Sequence, residues 1–81
     1  MQTQVLIVLA RKHCDEGSAP SARACLADAV GQNDAGNDAG ARMWAIKSLA
    51  HSLGVFHPEY KRAARLRAGL PQYTEAGRGV S

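Results

Sequence analysis

The side chains here that could do chemistry are three histidines, two cysteines and a small set of acids and bases. His13, Cys14 and Asp15 bring a base, a nucleophile and a carboxylate into one tripeptide, the residue types used in nucleophilic catalysis. Consecutive residues of a helix point about 100° apart, so these three cannot form a hydrogen-bonded relay where they stand. Metal binding fares no better. His51 and His57 straddle a helix break instead of sitting at i and i+4, and neither Cys14 nor Cys25 has a cysteine partner two residues away. Gly36 and Gly40, in the tandem repeat NDAGNDAG, have no preceding strand and no lysine that would make a phosphate-binding loop. The expectation is a chain with no catalytic residue, no metal, no cofactor and no small-molecule substrate.

What remains points to binding. In the segment 39–53, Met43, Ile46, Leu49, Ala50 and Leu53 share one helical face, which places Trp44, Ser48 and His51 on the other, beside Lys47. Trp44 then has two readings. It fills the core of a small bundle, as tryptophan does on average, or it anchors an interface, where tryptophan is enriched among the residues that matter most. Lys61, Arg62 and Arg65 project outward from the following helix. Together with Trp44, Lys47, Ser48 and His51 they form the candidate partner-binding set. Charge is polarised along the chain: residues 1–40 carry three basic and five acidic residues, net −2, and residues 41–81 carry seven basic and two acidic, net +5. A basic end of this kind can meet phosphate or an acidic protein surface.

The elements that must position these residues are helices. The chain has 81 residues, is rich in alanine and poor in aromatics, and its composition favours an all-α domain. Four helices are expected at 2–14, 18–31, 39–53 and 58–68. They form one domain, residues 1–70, with a frayed tail at 71–81. In the second helix Ala22, Cys25, Leu26, Ala29 and Val30 make a one-sided stripe, with Ser18 or Ser21 as its cap and Pro20 in its first turn. Residues 33–40 form a loop whose second half supplies Asn37 or Asp38 as the next cap. Gly54 ends the third helix, Val55 or Phe56 folds back over its last turn, and Pro58 opens the fourth, which turns Tyr60, Ala63 and Leu70 inward.

Residues 5–10 are apolar on every side. They are expected to be buried on more than one face as a helix; the alternative is an N-terminal strand paired across a dimer, as in ribbon-helix-helix repressors. A homodimer with a seam of Val5, Leu6, Val8 and Leu9 follows from that run and from the small size of the core. The run is too short to span a bilayer and is followed, not preceded, by basic residues, so a cytoplasmic protein with reduced thiols is expected.

Residues 46–67 resemble the helix-turn-helix pattern. Ala50 and Gly54 stand at its small and turn positions, Leu49, Leu53 and Val55 at the flanking core positions, and Tyr60 and Ala63 at the inward positions of a second helix. The resemblance implies a DNA-reading helix from His57 to Arg67, with His57, Lys61, Arg62 and Arg65 facing the groove. The chain departs from the pattern at Phe56 and His57-Pro58, where a small hydroxyl residue usually caps the reading helix. In general character the chain also resembles the small accessory proteins of temperate bacteriophages, which implies a stoichiometric binder, such as an antagonist of a host protein. The leading expectation is therefore a small non-enzymatic regulator acting by protein–protein contact. The alternative is a DNA-binding transcriptional regulator using helix 57–67.

Overall fold

The computed structural model describes residues 2–17 and 19–67. These form four helices and no strand: α1 (Gln2–Gly17), α2 (Pro20–Asp34), α3 (Asp38–Leu53) and α4 (Pro58–Arg67). The all-α expectation holds, and the first segment is a helix, not an intermolecular strand. The expected tail at 71–81 and the inward Leu70 lie outside the described residues.

In α1 the buried residues are Thr3, Leu6, Ile7, Ala10, His13 and Cys14, a single stripe repeating at three and four. The apolar run is therefore buried on one side only, and Val5 and Val8 remain exposed. The helix also continues past its expected end at residue 14, because Glu16 lies one turn on from His13 and pairs with it. In α2 the stripe Ala22, Cys25, Leu26 and Ala29 is buried as the periodicity requires, with Val30 half-buried. Of the two expected capping serines, Ser18 lies outside the described residues and Ser21 does not cap the helix. Ala19 holds the cap position without a side-chain bond, and Ser21 lies exposed inside the first turn. Pro20 at the helix start supplies the fixed φ that makes a hydroxyl cap dispensable.

The loop expected over 33–40 contracts to residues 35–37. The two NDAG copies do opposite work. The first closes α2, with Gly36 at φ +83°; the second opens α3, where Asn37 Oδ1 accepts the Gly40 amide at 3.0 Å and Asn37 Nδ2 donates to Gln32 Oε1 at 2.8 Å.

Side-chain contacts fix the direction of each helix. Thr3 Oγ1 donates to Asp38 near the starts of α1 and α3, and Cys14 meets Ser48 toward their ends, so these two helices run parallel. Ser48 bonds Ala22, near the start of α2, which makes α2 antiparallel to α3. The guanidinium of Arg42, in the first turns of α3, reaches the carbonyl of Arg67, the last residue of α4. At about 1.5 Å per residue Arg42 lies about 16 Å back along α3 and Arg67 about 14 Å along α4, so a steep crossing would hold them apart and only an antiparallel return brings them together. The result is an up-down-up-down bundle in which α3 touches all three other helices, while α4 packs on α3 and α1.

That central position rotates the buried face of α3. Bulk alone places it at Met43, Ile46, Leu49, Ala50 and Leu53. The structure buries Ala41, Ala45, Ile46, Ser48 and Leu49, and leaves Met43, Ala50 and Leu53 half-buried. Small side chains let neighbouring backbones approach closely, so alanine and serine mark the contact that large residues cannot make.

Candidate protein-interaction surface

Ser48 leaves the candidate set. Its side chain is fully buried where α1, α2 and α3 meet, with Oγ donating to the Ala22 carbonyl at 2.7 Å and lying 3.4 Å from Cys14 Sγ. A hydroxyl in that position satisfies itself by closing the junction and is not available to a partner. Its neighbours on the wheel behave differently. Lys47 and His51 are exposed, and Trp44 is half-buried, packed against the core with one ring face under the Lys47 ammonium at 4.9 Å from the centroid. Trp44 thus contributes to the core and keeps part of its surface exposed beside Lys47.

On α4, Ala63 is buried, with Tyr60 and Leu66 packed against the core. Pro58, Lys61, Arg62 and Arg65 recur at i, i+3, i+4 and i+7 on the opposite side and line an open groove with Tyr60 and Ala64. Glu59, the acidic residue of this helix, is turned toward α1, where its Oε2 lies 2.6 Å from His13 Nε2. His13 is 9% exposed and has Glu16 Oε1 3.3 Å from its Nδ1. The Nε2 contact is an ion-pair distance without the alignment of a hydrogen bond. This clamp fastens α4 to α1 and withdraws the one carboxylate from the outward strip of α4.

The turn ahead of α4 holds residues that sequence reasoning placed wrongly. Gly54 has φ +90° and ψ 150°, a backbone that a side chain strongly disfavours, and its amide bonds the Ala50 carbonyl at 2.9 Å. The chain leaves α3 abruptly there. Neither Val55 nor Phe56 folds back: Val55 is 50% exposed and Phe56 84%. The legible signal was Phe56 itself, standing where the helix-turn-helix pattern wants a small polar cap. His57 takes over that capping job, its Nδ1 accepting the Glu59 amide at 3.0 Å.

The candidate residues do not form one surface. Arg42 faces α4, and Trp44 projects about 200° away from it around α3. Trp44, Lys47 and His51 therefore make one face, and Lys61, Arg62 and Arg65, which line the groove on α4, belong to another. Among the proposed seam residues, Leu6 is fully buried in the chain's own core and drops out as a contact. Val5 and Val8 stay exposed and Leu9 half-buried, forming a shallow apolar face with Gln4 and Lys12.

Among the described residues no cluster of His, Cys, Asp and Glu could hold a metal, and no helix is long and apolar enough to cross a membrane. No family model, no curated protein and no solved structure matches this chain.

Proposed function

We propose that the protein is a non-enzymatic regulator that acts stoichiometrically by occupying a surface of a partner protein. The observation that carries this reading is the outer side of α4 and the turn before it, an exposed aromatic followed by a strip of cations from which the local carboxylate has been turned away. Interfaces are built around such aromatic and arginine anchors, and cationic rims steer association. The general resemblance to temperate-phage accessory proteins makes a host protein the first place to look, in the cytoplasm.

The rival, duplex DNA binding, draws on the same three cations. Two features favour a protein partner over it. α4 returns antiparallel along α3, whereas a helix-turn-helix sets its reading helix across the other at a steep angle. Phe56 occupies the corner where a DNA reader presents a polar cap. Titration with duplex DNA at low salt tests the choice. Expected is no saturable binding. Saturable binding whose log affinity falls with log salt at a slope near −0.9 per phosphate, and which Lys61→Ala/Arg62→Ala abolishes, would replace the protein reading with the DNA one.

A further inference from the structure

We infer that the α3–α4 corner is a docking knob: Phe56 enters an apolar pocket on the partner protein, and carboxylates on the rim of that pocket meet Lys61 and Arg62. This deepens the protein-binding reading above and rests on it. Phe56 is 84% exposed and Val55 beside it 50%, so burial of this corner is not achieved within the bundle. The corner is held out by the positive-φ Gly54, by the His57 amide bonding the Gly54 carbonyl at 3.2 Å, and by the His57 cap on α4. A knob presented on a fixed turn loses little freedom on binding, which raises the affinity obtained from its burial.

Charge selects what surrounds the pocket. Lys61 and Arg62 are exposed one turn into α4, five and six residues on from Phe56, and Glu59, the one acid of that helix, is committed to His13. Among the described residues neither Lys61 nor Arg62 has an ion-pair partner, and complementarity calls for Asp or Glu. A lipid surface fits less well, because Tyr60, Ala63 and Leu66 of α4 face the core and leave the helix no apolar side to insert. A nucleic acid offers bases to stack on, but a single protruding phenyl ring is a poor platform for successive bases.

The test places a photo-crosslinking benzoylphenylalanine at position 56, and in a second protein at Asp28, an exposed position on α2. Both full chains are irradiated in lysate of the source cells and adducts are mapped by mass spectrometry; the protein so identified is then purified and titrated with parent, Phe56→Ser and Lys61→Glu/Arg62→Glu chains. Circular dichroism establishes that the variants remain folded, as substitutions at exposed positions should. The expected result is an adduct from position 56 and none from 28, mapped to a segment carrying Asp or Glu, with about thirtyfold weaker binding for Phe56→Ser and tenfold or more for the charge reversal. If the identified protein binds Phe56→Ser as tightly as parent, or crosslinks equally from 28, the knob is overturned while protein binding stands. A nuclease-sensitive adduct, or binding to phosphatidylglycerol vesicles that both variants abolish, overturns the knob in favour of that ligand. Failure of the parent to form any protein complex overturns both readings.

Discussion

Ser48 joins three helices through one oxygen, and the cost of losing it can be set against the cost of enlarging it. Ser48→Ala removes a hydrogen bond but leaves the volume nearly unchanged, so a loss of about 1 kcal/mol is expected, seen as a fall in Tm of about 4–8 °C. Ser48→Leu forces bulk between backbones held apart only by alanines, and a larger loss, about 1–3 kcal/mol or more, is expected in the same denaturation series. Trp44 gives a graded outcome. Because it is half-buried, Trp44→Ala should cost less than the about 3–5 kcal/mol of a fully buried tryptophan, and urea denaturation should place it near 2. Much of the candidate surface was readable at this scale: Lys47, His51, Lys61 and Arg62 are exposed where helical periodicity puts them. Ser48 was not, because a serine among alanines reads as a polar surface until the neighbour that accepts its proton is known. Glu59 was unreadable for the same reason: its partner His13 lies far away in sequence.

Within elements, the clearest expectation concerns α4, which is short and, among the described helices, is held by contacts to α3 and α1. Replacing His13 with alanine removes the imidazole between Glu16 and Glu59. Amide hydrogen exchange should then quicken in α4 while α2 and α3 keep their protection, since segments with few buried contacts open locally. Uniform acceleration throughout would show instead that α4 belongs to the same cooperative unit as the rest. Two glycines separate backbone demand from composition. Gly31 is helical with open space where a Cβ would go, so Gly31→Ala should raise stability by about 0.5–1 kcal/mol; Gly54→Ala must adopt a positive φ and should lower it by more than that. Thermal melts of the two variants should move in opposite directions. Periodicity made all four helices legible, and the α2 stripe in full. It misplaced the face of α3, since a wheel weights bulk and cannot know that this helix is central. Helix ends ran past the expected turns, because Glu16 and the first NDAG copy accept helical geometry when nothing in the tertiary structure forbids it.

At the scale of the whole molecule, the outward valines of α1 are, besides Val55 and Phe56, large apolar side chains that a single copy leaves exposed. We expect a homodimer through Val5, Val8 and Leu9, detected by light scattering as twice the 8.6 kDa chain mass at micromolar concentration. Val5→Lys/Val8→Lys changes exposed positions only, so it should return the monomer mass with helicity unchanged; a parent that is already monomeric ends the idea. The measurement has to be made with reductant present, and the reason lies in the buried cysteines. Cys14 is 2% exposed at the junction of three helices and Cys25 8%, and neither is in a disulfide. A thiol reagent reaches Cys14 when the junction parts, so its alkylation rate is a clock for opening, slowed about tenfold for every 1.4 kcal/mol of opening free energy. Oxygen reads the same clock. On storage, chains that open will couple through the released thiols, and covalent pairs will accumulate in proportion to the open population, with the mass of the expected dimer and none of its structure.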